Sequence, residues 1–363
     1  MSHVQQQEVP DTNATEAQIT LRSLRIEAYR GMVNVHLEGL KRFNLVVGSN
    51  NAGKSSILEA ASLVLRPFDP SQWVKVARQR DMDLHLVDGL WSLFPDGALL
   101  QLDDGPKQSK KLTIEGDIEG TRRRLFATGL ARVSWITDET EDLVLSVEAN
   151  VSEGSTKPVK HTMEFQRNEL AKFSNQIYYH CCFTITPATH RSTRQLVDYM
   201  SKAIDEGQKT LAVQLLQLFD SDVIDLDISA SFGRDRICLN HRQRGVVDLA
   251  SFGDGMRRAA ALALALVRAD KGVLLIDEIE AGIHPTILPR VIAALLEAAE
   301  RVGVQIIATT HSLEAIDAVV TSIPKDDDSC AGFYLYRRNG QSLVKRYDQM
   351  EMNSLRESGV DLR

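Results

Sequence analysis

The stretch that decides the fold is RFNLVVGSNNAGKSSILEAASLVL, Arg42 to Leu65. Its opening residues close in a continuous apolar run, the pattern of a strand buried on both faces of a sheet. From Ile57 to Leu65 the apolar spacing turns helical. Between them Gly48 to Ser56 reads G-x-x-x-x-G-K-S, a pattern that works only with a strand before it and a helix after it. In that order the backbone around Asn50, Asn51, Ala52 and Gly53 wraps phosphates, Lys54 reaches their outer oxygens, and Ser55 and Ser56 open the helix, with the Ser55 hydroxyl placed to bind Mg2+.

Two strand ends further along belong to the same crevice. GVLLIDE, Gly272 to Glu278, is an apolar strand that delivers Asp277 to the carboxyl edge of the sheet, where a carboxylate orients the ligands of Mg2+. Glu278 follows directly, placed to polarise the water that attacks a γ-phosphate, as a general base. VQIIATTHS ends in Thr309, Thr310 and His311, and a histidine at that edge is placed to bond the γ-phosphate and sense its loss. A helical pattern over Ile287 to Arg301 separates these strands, and strand, helix, strand calls for parallel neighbours.

DLASFGDGMRRAAALALALV, Asp248 to Val267, carries Ser251, Gly253 and Gly255 at alternate positions and then a long Ala/Leu helix. A glycine-lined helix start suits an anion. Since the Gly48 loop already holds the chain's own phosphates, this strip is expected to seal the γ-phosphate bound by a second copy, so that two copies bury two ATP molecules head to tail. The plainer reading is a glycine-rich helix cap with a basic first turn at Arg257 and Arg258.

Working outward, residues 1–18 form a polar tail. TLRSLRIEAYRGMVNVHLEGL, Thr20 to Leu40, alternates twice around Tyr29-Arg30-Gly31, two strands of an antiparallel sheet. Residues 19–110 therefore make an N-terminal lobe with the phosphate loop. Residues 111–190 add a β-rich elaboration and a core strand in IYYHCCFTIT, Ile177 to Thr186. Residues 191–235 read as a helical arm that projects, and 236–363 as a C-terminal lobe with a hairpin at Asn339-Gly340. The fold class is α/β: a P-loop NTPase with a mixed core sheet, an antiparallel β subdomain and a short helical arm.

The chain has 363 residues, 43% apolar and 25% charged, enough to bury a large core. A formal net charge of −7 leaves no global basic field, so contact with DNA would need a local patch. Arg122, Arg123, Arg124, Arg191 and Arg194 are the candidates, although a run of arginines is more commonly a solvated face. The apolar run Ala259 to Val267 falls well short of the roughly 20 residues that span a bilayer. The four cysteines, with no CxxC pair, read as reduced thiols, and the location expected is the cytoplasm, with no membrane partner.

The ordered set GSNNAGKSS, SFGDGMRR, LLIDEIEAGIHP and ATTHS resembles the ABC-type ATPase head group of SMC proteins, RecF-like repair proteins and the overcoming-lysogenization-defect (OLD) ATPases. It is most similar to the OLD-like AAA-family ATPases through Asp277 to Pro285 and through the tail Lys345 to Arg363. The resemblance implies ATP and Mg2+, with Lys54 and Ser55 on phosphate and metal and Asp277 on the metal. It makes Glu278 the catalytic base, Ser251, Gly253 and Gly255 the trans contact, and His311 the switch. It further implies a homodimer or higher oligomer that controls a separately encoded effector, such as a nuclease in anti-phage defence. The alternative is a RecF-like ATPase that binds DNA under ATP control.

Three departures stand out. The signature is S-F-G-D-G rather than L-S-G-G-Q. No glutamine takes the family's place beside the γ-phosphate, Gln101 and Gln176 being the two weighed. With so few residues after His311, the chain is expected to lack the TOPRIM nuclease of OLD proteins. The stretch between Lys54 and Ser251 is too long for a compact transporter motor and too short for a long SMC coiled coil.

Overall fold

The computed structural model describes residues 20–80, 84–95, 108–137, 140–166, 180–231, 234–324 and 327–359. The tail 1–18, Gln101 and Gln176 lie outside the described residues. The first lobe runs β1 (Leu21–Tyr29), β2 (Met32–Glu38), β3 (Phe43–Val47), α1 (Lys54–Leu65), α2 (Pro70–Arg78) and α3 (Leu86–Trp91). Four long strands follow: β4 (Gln108–Ile118), β5 (Thr121–Thr137), β6 (Thr140–Glu153) and β7 (Val159–Gln166). Then come β8 (Cys182–Ile185), α4 (Thr193–Asp205), α5 (Lys209–Gln217), β9 (Val223–Ser231), β10 (Arg234–His241) and β11 (Gly245–Asp248). The last stretch holds α6 (Asp254–Arg268), β12 (Val273–Ile276), α7 (Leu288–Arg301), β13 (Gln305–Thr310), α8 (Leu313–Ser322), β14 (Cys330–Arg338), β15 (Gln341–Asp348) and α9 (Gln349–Glu357).

The apolar runs become the middle of a mixed sheet in the order β15-β14-β3-β13-β12-β8, parallel except for β15. Alternation along these strands divides the interior into two layers. Leu45, Val47, Leu274 and Ile276 point to the layer of α4 to α8. Val46, Val273 and Leu275 point to α1, α2, α3 and a second sheet. Because both faces of β3, β12 and β13 are covered, strands with no polar alternation are stable here.

That second sheet is antiparallel, β2-β1-β4-β5-β6-β7, so the opening hairpin and the β-rich elaboration are one continuous surface. The arginine run lies on β5 and is neutralised in place: Arg122 and Arg124 pair with Glu115, Arg124 also with Glu27, and Arg123 with Glu153.

The arm is present as α4 and α5, but it does not project. Leu196, Tyr199, Met200 and Ala203 repeat at helical spacing on one face, and they are buried with Leu215 and Leu216 in the layer that contains α6. An apolar stripe of that width needs a partner, and the alanine-rich surface of α6 supplies one. Part of the segment assigned to the arm is in fact β9, edge strand of a small antiparallel sheet β11-β10-β9 that sequence periodicity did not reveal.

Candidate active site

β3 ends at Val47, and the chain leaves the sheet through Gly48 (φ 149), Asn51 (φ 64) and Gly53 (φ 106) before α1 begins at Lys54. Successive left-handed turns of this kind aim backbone N–H groups into one concavity at a helix start, an anion cradle. Asn50 and Asn51 are exposed at its lip, whereas Ala52 and Ser56 are buried under it. The Lys54 ammonium folds over the cradle, donating to the carbonyls of Gly48 (2.7 Å) and Ser49 (3.1 Å). Burial pushes its pKa down, opposed by the carboxylates of Asp277, Glu278 and Glu280.

Three adjacent parallel strands then bring their carboxyl ends together. The Ser55 hydroxyl donates to Asp277 Oδ2 at 3.0 Å. Asp277 Oδ1 accepts from the Thr309 hydroxyl at 2.6 Å, and Thr309 Oγ1 in turn accepts the Glu278 backbone N–H at 2.9 Å. Glu278 leaves β12 in a left-handed conformation, φ 49, with its side chain 41% exposed. Its carboxylate therefore opens to solvent while its backbone is fixed. His311 lies across from it, Nδ1 3.7 Å from Glu278 Oε1 and 3.5 Å from Glu280 Oε1, its own side chain 46% exposed.

Thus Lys54, Ser55, Asp277, Glu278 and His311 share one crevice. The Ser251 strip does not join them. Ser251 sits exposed in a short 3-10 turn, Leu249–Ser251, and Gly253 is so open that a Cβ there would meet nothing within 4 Å. Among the described residues no hydrogen bond or ion pair links the strip to Gly48 to Ser56. Gly255 is different: a Cβ there would press on the Gly282 carbonyl, so α6 packs against the turn that follows Glu278.

Four residues of the site were given no part in it by the sequence reading. Thr309 was named only as a strand end, and Glu280 was visible only as part of DEIE. Arg80, two residues past α2, donates to the Ser56 hydroxyl at 2.7 Å and to Glu59 at 2.9 Å, and no local pattern marks it. Arg258 reads in the sequence only as part of a basic first turn of a helix, and it is fully buried. No hydrogen bond from a glutamine side chain reaches Lys54, Ser55, Asp277 or Glu278 among the described residues.

Does this arrangement fit a metal? Ser55 Oγ and the Asp277 carboxylate are hard oxygen donors, already within hydrogen-bond distance of each other beside the phosphate cradle, the donor chemistry Mg2+ selects.

Comparison with known proteins places this crevice in context. The family model described as "AAA domain, putative AbiEii toxin, Type IV TA system" matches residues 43–317. An uncharacterized protein of Methanocaldococcus jannaschii is 34% identical over 113 residues, 31% of this chain and 98% of its own length. A Helicobacter pylori protein named ATP/GTP phosphatase is 20% identical over 353 residues, 85% of this chain and 89% of its own. Among solved structures, the Smc head bound to the C-winged helix domain of ScpA is similar at 13% identity, covering 90% of this chain and 98% of the other, with a TM-score of 0.49.

Proposed function

The chain belongs to this AAA-domain family and is an ATPase, and from that premise we propose that two copies close around ATP and reopen when Glu278 drives its hydrolysis, a cycle that controls a DNA-directed effector encoded separately. The observation that carries the reading is the unbroken chain Ser55–Asp277–Thr309–Glu278, which sets a hydroxyl–carboxylate pair of hard oxygen donors beside the half-exposed carboxylate of Glu278 at the phosphate cradle. In this reading Lys54 and the loop backbone hold the triphosphate. Mg2+ held by Ser55 and Asp277 would supply charge neutralisation at the phosphate oxygens. Glu278 takes a proton from water as the oxygen bonds to the γ-phosphorus and the bridging P–O bond breaks, releasing ADP and phosphate. His311, near Glu278 and Glu280, registers the γ-phosphate.

The dimer is supported by the Ser251 strip, open and unattached to its own phosphate loop, at the start of a 15-residue helix. A direct role of DNA, as in RecF-like proteins, has less support: Arg122, Arg123 and Arg124 already hold carboxylates, and Arg191 lies 3.3 Å from Asp254. A nuclease in anti-phage defence is the effector we favour, on family analogy.

The test is Glu278→Gln in the full chain. It should bind ATP but release phosphate about 10²- to 10⁴-fold more slowly, the usual worth of a general base, and should elute as a dimer with ATP and Mg2+. Unchanged phosphate release would remove Glu278 from its role, and a monomer under those conditions would end the trans reading of Ser251, Gly253 and Gly255.

A further inference from the structure

Arg258 stands one turn into α6, and its side chain is 0% exposed. Among the described residues no carboxylate lies within ion-pair distance of it. Instead the guanidinium is spent on three backbone carbonyls: Nη1 donates to Thr186 O just past β8, and Nη2 to Asp277 O and Glu278 O, both at 3.0 Å. Burial drags its pKa down to about 10, against the pull of Asp277, Glu280 and Glu278. Burying a cation without a counter-ion is costly, so its partners identify what it maintains.

Two of those partners flank one residue. The peptide joining Asp277 to Glu278 is held at its carbonyl by Arg258 and at its N–H by Thr309 Oγ1, and the carbonyl of Glu278 itself is held by Arg258 again. Both peptide planes around Glu278 are therefore pinned while its φ is 49, a conformation that a non-glycine residue keeps only when its surroundings impose it. The restraint comes from α6, the helix that the Ser251 strip opens and whose Gly255 lies against Gly282.

We propose that Arg258 is a positioning residue for hydrolysis: it holds the backbone of Glu278 from α6, so that the carboxylate reaches the attacking water only while that helix is seated. The proposal rests on Glu278 being the general base. It also gives contact at the α6 start a direct mechanical route to the chemistry, through one side chain.

Arg258→Met and Arg258→Lys, made in the full chain and assayed with ATP and Mg2+, test it. The Arg258→Met variant should lose about 10²-fold in kcat, the scale of a misplaced reacting group, while KM for ATP stays within about twofold, since Lys54 and Ser55 are untouched. A lysine keeps the charge but cannot span three carbonyls with a rigid fork, so Arg258→Lys should recover only part of the loss. Wild-type kcat in both variants, or a loss confined to KM or to the folded fraction, would overturn the proposal. If the Arg258→Met variant does not fold, the kcat and KM of Arg258→Lys decide alone. Glu278→Gln in parallel separates the two levels: hydrolysis that survives it sinks the base and the clamp together. Hydrolysis abolished by it but normal in the Arg258 variants sinks the clamp alone.

Discussion

Glu59 lies in α1 with its side chain closed off from water, and three donor groups converge on its carboxylate: the Tyr29 hydroxyl at 3.0 Å, Arg30 Nε at 2.7 Å and Arg80 Nε at 2.9 Å. Arg30 sits in the β1–β2 turn at φ 49 and Arg80 beyond α2, so one buried anion ties the opening hairpin and the α2 end to the helix of the phosphate loop. Burial first, and then the Glu59 charge, push the Tyr29 hydroxyl well above its ordinary pKa, which keeps it a donor. Removing one partner of a buried pair leaves the other charge stranded. Glu59→Gln is therefore expected to lower stability by about 3 kcal/mol, read from the urea midpoint at an unchanged slope. A loss within about 0.5 kcal/mol, the size of an ordinary surface change, would mean that Arg30 finds water instead.

At the scale of elements, β3 and β14 approach so closely at the start of the phosphate loop that only glycine fits. A Cβ on Gly48 would overlap the Leu335 carbonyl oxygen, and φ 149 disfavours any side chain there. Gly48→Ala should cost at least about 2 kcal/mol and weaken nucleotide binding, because the strand pair must part to admit the methyl group. A calorimetric Tm equal to wild type would refute that packing. The end of the same sheet depends on a helix cap. Asp348, last residue of β15, accepts from the Glu351 N–H at 2.8 Å, and Glu351 accepts from the Asp348 N–H at 2.9 Å. Asp348→Ala should cost about 1 kcal/mol, seen as faster amide exchange in α9 before any global change.

For the whole molecule, acid is the informative stress. The Asp222 backbone N–H and His241 hold the Asp220 carboxyl below its ordinary pKa, Lys41 does so for Asp328, and Lys160 for Glu148. A carboxyl depressed in the folded state stabilises it above the ordinary carboxylate pKa, near 4, and that contribution is lost as pH falls through the lower folded value. The denaturation midpoint should stay level from about pH 7 to 5 and fall below about pH 4, less steeply in high salt because the pairs at Asp328 and Glu148 are exposed. A midpoint that rises on acidification would contradict the sign of all three shifts. No helix among the described residues is long and apolar enough to cross a membrane.

The strand, loop and helix around Lys54, the strand ends at Asp277 and His311, and the hairpins at Arg30 and Asn339 were legible because each is local: period, glycine and charge lie within a dozen residues. The docking of α4 and α5 was not, since an amphipathic stripe declares that it needs a partner without naming it. Nor was the small sheet β9 to β11, or the role of Arg258, whose neighbours in sequence read as a glycine-rich helix cap with a basic first turn. What the sequence determined by itself was the set of chemical parts and their order along the chain. Only the tertiary structure decided their company, setting Ser55 on Asp277 across 222 positions and burying a guanidinium against the backbone of Glu278. The reason is physical: propensity and periodicity act between near neighbours, whereas the crevice is made by parallel strands whose adjacency is fixed by packing on both faces of the sheet.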